Sequence, residues 1–137
     1  MAGNIHLEVV TPEKIVVSEE AQIVASPGSE GEFGVLTGHT PFLTSLKTGL
    51  IRYTDTSGKE HFVFVSGGFA EALPDKVTVL AESAEVSTDI DINRAKEALA
   101  RAEKRLAEER TREDIDFARA RAALERATVR IRVAGLS

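Results

Sequence analysis

S-E-G-E-F-G-V-L-T-G-H-T-P-F-L-T-S-L-K-T-G, residues 29–49, is the stretch that decides the fold. Gly31, Gly34, Gly38 and Gly49 interrupt short apolar pieces. Glycine supplies positive φ and close backbone approach, so the segment reads as strand, tight turn, short strand, turn, strand. Pro41 fixes its own φ and biases Thr40 away from the α region. His39 and Thr40 are thereby presented on a stiff loop between Val35-Leu36 and Phe42-Leu43, the kind of place where binding surfaces form. His39 stands alone, because His6 and His61 belong to other predicted strands. A lone turn histidine is more often a hydrogen-bonding or contact residue than a base.

Working outward, the first part of the chain reads as all-β. Ile5, Leu7 and Val9 alternate with His6, Glu8 and Val10, the pattern of a half-buried strand. Residues 14–17 and 21–25 read as two short β pieces separated by Ser18-Glu19-Glu20. Residues 50–54 face residues 62–65 across Asp55-Thr56-Ser57-Gly58, a hairpin signal. Ser66-Gly67-Gly68 re-aims the chain into residues 69–73; Pro74-Asp75-Lys76 is a turn, and residues 77–81 read as the last strand. Many short strands at this spacing predict a sandwich or barrel.

The period changes at Thr88. From Ile92 to Val133 there is neither Gly nor Pro, and good helix formers dominate. Asp89 or Asp91 can cap the start. Ala95, Leu99, Ala102 and Leu106 form an apolar stripe at heptad spacing. Continued, that stripe meets Glu109, Glu113 and Asp116, while Phe117, Ala120, Leu124, Ala127 and Ile131 start another in a new phase. The break is expected at residues 109–116, where Thr111 and Asp114 are cap-type residues. The prediction is a mainly β N-terminal sandwich or barrel over residues 1–87, followed by a C-terminal antiparallel α-helical hairpin over residues 88–137. The half-alanine seams bury little apolar area, so the hairpin is expected to be marginal by itself and able to open.

Composition bounds the function. Of 137 residues, 42% are hydrophobic and 28% charged, the profile of a globular protein. With Cys at 0, disulfides and thiolate metal sites are excluded. No apolar run reaches the roughly 18 residues that span a bilayer, and residues 1–4 lead into a strand pattern without a signal-peptide core. Residues 1–88 carry five Lys/Arg against twelve Asp/Glu, a net of −7, and residues 89–137 carry twelve against ten, a net of +2. An acidic front and a basic tail predict two parts with different partners. No convergent nucleophile arrangement or Gly-rich phosphate loop appears, so no catalytic residue and no metal ligand is assigned. One Tyr, no Trp and an acidic front argue against nucleic acid.

The 29–49 stretch, V-S-G-G-F-A-E at 65–71, V-T-V-L-A-E-S-A-E at 77–85 and D-I-D-I-N-R-A at 89–95, followed by an Ala/Arg-rich hairpin, together resemble the epsilon subunit of F-type ATP synthases. The resemblance covers essentially the whole chain. It implies a non-catalytic central-stalk subunit that couples ion flow to ATP synthesis, with the gamma subunit, the membrane c ring and the alpha/beta catalytic subunits as partners. Its place would be the cytoplasmic face of a bacterial plasma membrane, peripheral and bound only through the complex. The sandwich would grip gamma and the c ring through Glu32, Gly38, His39, Thr40 and Pro41. The hairpin would extend to inhibit ATP hydrolysis, with Arg119, Arg121, Arg126, Arg130 and Arg132 meeting an acidic loop of the beta subunits; a solvated helix face is the plainer reading of these arginines. No cofactor is required, but a regulatory ATP is implied by the [I/L]-D-x-x-R-A motif of some bacterial members, matched by Ile90, Asp91, Arg94 and Ala95 with Glu85 and Arg101 flanking. The plainer reading there is a helix cap beside a surface arginine. A β-sandwich adaptor of another complex is the alternative to the whole reading.

Overall fold

The computed structural model describes residues 3–108 and 114–136, with the side chains of residues 114–116 left aside. Nine strands are followed by a 3₁₀ turn at Ser87–Asp89 and two helices. The strands are β1 (Ile5–Val10), β2 (Ile15–Gly28), β3 (Gly31–Leu36), β4 (Phe42–Ser45), β5 (Gly49–Asp55), β6 (Glu60–Ser66), β7 (Phe69–Leu73), β8 (Lys76–Leu80) and β9 (Ser83–Val86). The helices are α1 (Ile92–Glu108) and α2 (Asp114–Ala134). Strand order is β4-β7-β8-β1-β2-β5-β6-β9, with β3 on β2. All pairs are antiparallel except β1 with β8. This is the expected sandwich followed by the expected helical hairpin.

Two expectations need correction. Residues 14–25 are not two short pieces: β2 is one strand of 14 residues. Ser18, Glu19 and Glu20 pair in register with Glu8, Leu7 and His6, so polar side chains do not interrupt the ladder. What changes is the phase. Val17 and Ala21 point inward, then the register with β5 shifts between Ala21 and Ile23, and Val24 and Ser26 take over the inward face. One extra residue inverts every side chain that follows it. Residues 77–81 are also not the last strand, because Ser83–Val86 adds β9 to the edge of β6. Its four residues are too short and polar to show an alternation; pairing, not propensity, makes it a strand.

Ile5, Leu7, Val9, Val24, Val35, Ile51, Val63, Val65, Val77 and Val79 fill the sandwich core with no exposed area. Gly68 (φ +101°) makes the turn from β6 to β7 possible, since a Cβ there would lie 1.9 Å from the Leu80 carbonyl oxygen. The run Phe62-Val63-Phe64-Val65 has a specific cause. Val63 and Val65 face the sandwich core, whereas Phe64 faces the other way into a second cluster with Ile90, Val129 and Val133. β6 is thus covered on both faces, by the sandwich and by α2.

The helices pack on each other through alanine. Ala95 and Ala102 of α1 and Ala120 and Ala127 of α2 are buried, with Leu99, Leu106, Leu124 and Ile131 half-buried beside them. That is the expected seam except at Phe117, the predicted start of the α2 stripe, which is instead exposed. α2 has in addition a second apolar face, Val129 and Val133, directed at β6, which the single-stripe reading did not include. α1 ends at Glu108 and α2 begins at Asp114. The junction expected at residues 109–116 falls largely outside the described residues.

Candidate functional site

The cleft between the hairpin and the sandwich is built by four elements. Asp91 starts α1: its carboxylate Oδ1 accepts from the Arg94 backbone N–H at 3.0 Å, and its carbonyl accepts from Ala95 N–H at 3.0 Å. The cap reading of Asp91 therefore holds in this state. Arg94, Ala98 and Arg101 follow at helical spacing and line one wall. β9 supplies Ser83, Ala84 and Glu85, the turn between β1 and β2 supplies Thr11, Pro12, Glu13 and Lys14, and α2 supplies Arg130. The volume is about 660 Å³. Ile90, Asp91, Arg94, Ala95, Glu85 and Arg101, the six residues singled out from sequence for a nucleotide, all line it.

Arg130 has a defined place at its edge. Its Nε donates to Glu85 Oε1 at 2.6 Å, a second guanidinium nitrogen donates to Ser83 Oγ at 3.1 Å, and its Cζ lies 4.3 Å from the centre of the Phe64 ring. Sheet register explains the convergence. Ser83 and Glu85 are two apart on β9 and share a face, and Glu85 is the direct partner of Phe64 on β6. Arg119, Arg121 and Arg132 are exposed and Arg126 is half-buried. The five arginines therefore divide: in this state one is fixed to the sandwich, while four lie along α2 without an ion pair to any described residue.

The loop of residues 37–41 is held at several points. The Gly38 N–H (φ +83°) donates to the Pro74 carbonyl at 2.6 Å, tying the loop to the β7–β8 turn. His39 Nδ1 lies 2.7 Å from the Thr40 carbonyl oxygen, and its ring meets Phe42 edge-on at 5.1 Å. Glu32 is at the opposite end of β3, paired with Arg52 at 3.6 Å. Its neighbour Phe33 meets Phe42, at the start of β4, edge-on with ring centroids 4.9 Å apart. Gly38, His39, Thr40 and Pro41 are together; Glu32 is apart from them.

The outer face of the sheet carries a row of apolar side chains that the sequence reading did not single out. Phe69 is opposite Leu80, Leu80 is opposite Val10, and Val10 is opposite Ile15. Phe69, Leu80 and Ile15 are each more than half exposed, as is Leu43 on the neighbouring β4. Alternation alone does not reveal such a row, because these residues look like the inward set until the register is known. No helix of the described residues is long and apolar enough to cross a membrane.

A chain with this sandwich, this docked hairpin and a mixed-charge cleft between them belongs to the delta/epsilon chain family of ATP synthase subunits. The model for the ATP synthase Delta/Epsilon chain beta-sandwich domain matches residues 4–87, and that for the long alpha-helix domain matches residues 88–135. Among curated relatives, the ATP synthase epsilon chain of Desulforapulum autotrophicum is 68% identical over 108 residues, 79% of this chain and 80% of that one. That of Carboxydothermus hydrogenoformans is 50% identical over 107 residues, 78% and 79% respectively. Among solved structures, a chain of the Euglena gracilis mitochondrial ATP synthase superposes with a TM-score of 0.79 at 24% identity, covering 98% of this chain and 82% of that chain. That likeness is one of fold.

Proposed function

We propose that this chain is a non-catalytic rotor subunit of an F-type ATP synthase, whose sandwich anchors it in the central stalk and whose hairpin regulates ATP hydrolysis. The division of packing carries the reading. The sandwich is closed around a large apolar core, whereas the described part of α2 rests on it through one small cluster and the Arg130 contacts. A rigid body with a lightly attached arm is what a two-state regulator requires. The exposed row of Leu43, Phe69, Leu80 and Ile15 and the braced loop at Gly38, His39, Thr40 and Pro41 offer a surface for the gamma subunit and the c ring, at the cytoplasmic face of a bacterial membrane. Arg119, Arg121, Arg126 and Arg132 lie along α2 without ion pairs to described residues and are the side chains available to acidic loops of the catalytic beta subunits. Arg130 joins them only after leaving Glu85. The test is capture from solubilised membranes by the tagged chain. Recovery of a gamma-like coiled-coil subunit with the c ring is expected; recovery of neither would contradict the reading.

A second reading concerns ATP as a regulatory ligand. It is favoured by one observation, the convergence of Glu85, Ile90, Asp91, Arg94, Ala95 and Arg101 on a single cleft with Lys14 and Arg130. Arg94, Arg101 and Lys14 have no carboxylate partner among the described residues, so three cations face that space uncommitted. A triphosphate would satisfy them with charge-assisted hydrogen bonds. Bound between α1 and the β1–β2 turn, it would favour the folded hairpin.

A further inference from the structure

Away from the cleft, Glu19 on β2, Asp55 at the end of β5 and His61 on β6 each bring one ligand atom to a common point, all within 4.8 Å of one another. We propose that Glu19, Asp55 and His61 form a binding site for a divalent transition metal ion of the zinc type. Two carboxylates and one imidazole from three adjacent strands are a donor set suited to Zn²⁺, with a remaining position for water.

The three side chains are held in place by different partners, as ligands of a metal site normally are. Asp55 Oδ1 accepts from the Ser57 and Lys59 backbone N–H groups at 2.9 and 3.0 Å and from Ser57 Oγ at 2.6 Å, which turns Oδ2 toward His61 Nε2, 2.7 Å away. Glu19 Oε2 accepts from the hydroxyl of buried Tyr53 at 2.7 Å, leaving Oε1 without a partner among the described residues. The His61 ring is stacked on Tyr53, with centroids 4.8 Å apart and planes 15° from parallel, which fixes the direction of Nε2.

His6 provides an internal contrast. It too has two carboxylates nearby, but Glu20 meets Nδ1 at 3.0 Å and Glu8 meets Nε2 at 3.5 Å, on opposite sides of the ring. No single ion can take all three. At Asp55 and His61 the carboxylate and the imidazole nitrogen address the same point. The ion takes the place of their hydrogen bond: the metal–Nε2 and metal–Oδ2 bonds form, and the neutral ring keeps its single proton on Nδ1. Glu19 closes the third bond, and the ion joins β2, β5 and β6 at one end of the sandwich.

The experiment is titration of the full chain with zinc chloride by calorimetry, with the His61 imidazole followed by NMR. One equivalent is expected to bind at micromolar concentration, shift the His61 resonances to those of an Nδ1–H ring ligated through Nε2, and raise the melting temperature. His61→Gln and Glu19→Gln are each expected to weaken binding about tenfold or more, and Tyr53→Phe, which frees Glu19 without removing a ligand, by about tenfold. His6→Gln is expected to leave binding unchanged. Absence of saturable binding, binding unaltered in both His61→Gln and Glu19→Gln, or equal affinity for Mg²⁺ would overturn the site.

Discussion

Arg130 Nε donates to Glu85 Oε1 across 2.6 Å, and this contact, with the 3.1 Å hydrogen bond from the same guanidinium to Ser83 Oγ, joins the second helix to the edge strand of the sandwich. Beside it, Val129 and Val133 cover Phe64. Among the described residues, the contacts that fasten α2 to the β domain lie within about one and a half helical turns, Val129 to Ala134, near the end of the helix.

Removing that contact should loosen the hairpin without touching the sandwich. The side chains are 27% and 34% exposed, so solvent screens the pair in part. Arg130→Ala is expected to reduce docking by about 1.5 kcal/mol, from a charge-assisted hydrogen bond and a ring contact together. Amide exchange in α2 should accelerate about tenfold while β1 and β8 are unchanged. Combining it with Glu85→Ala should add little, because the partner is already gone.

The β6–β7 turn provides a sharper stability test. Gly68→Ala places a methyl 1.9 Å from the Leu80 carbonyl oxygen at a φ of +101° and is expected to cost roughly 3 kcal/mol or more. Gly58 also has a positive φ, but open space around it. Gly58→Ala should cost only about 1–2 kcal/mol. Urea midpoints of the two variants should separate clearly.

Tyr53 makes stability depend on alkaline pH. Its hydroxyl titrates well above the ordinary tyrosine range, first because it is buried, then because it donates to Glu19 and feels the charges of Glu19 and Asp55. A group whose folded pKa is raised stabilises the fold fully below its unfolded pKa, about 10 for tyrosine. That contribution is lost progressively as the pH climbs from there toward the folded-state value. Melting temperature should therefore fall above pH about 10, and Tyr53→Phe should flatten that fall.

If the cleft takes ATP, Arg94→Ala or Arg101→Ala should each lower affinity about tenfold or more, the loss expected from a charge-assisted contact. Calorimetry on the full chain reads this directly. No heat from the unmutated chain at millimolar ATP would remove the nucleotide reading.

Much of this architecture is legible in the residues, and the parts that are not share a cause. The β-to-α change at Thr88 shows because glycine and proline stop and the period shifts. The alanine seams show because they recur every three or four residues. The run Phe62-Val63-Phe64-Val65 shows as a hairpin strand, but its burial on both faces depends on where α2 lands and is not contained in it. β9, the phase inversion in β2 and the exposed row through Phe69, Leu80 and Ile15 are set by strand pairing, which a local pattern does not contain. The nucleotide motif was recognisable, but Lys14 and Arg130 reach the cleft from opposite ends of the chain, and no spacing rule connects them to Arg94. Glu19, Asp55 and His61 converge only because three strands lie side by side.

In the proposed function the sandwich stays anchored while the hairpin leaves it. The direct test fixes the hairpin in its docked position inside an assembled ATP synthase. The chain has no cysteine, so Leu50→Cys with Ala134→Cys, both at the Phe64 cluster, can be joined by a short bis-maleimide. The cross-linked complex is expected to hydrolyse ATP as fast as one carrying the chain without residues 88–137, and the same variant before cross-linking to remain inhibited. Equal hydrolysis rates before and after cross-linking would contradict it.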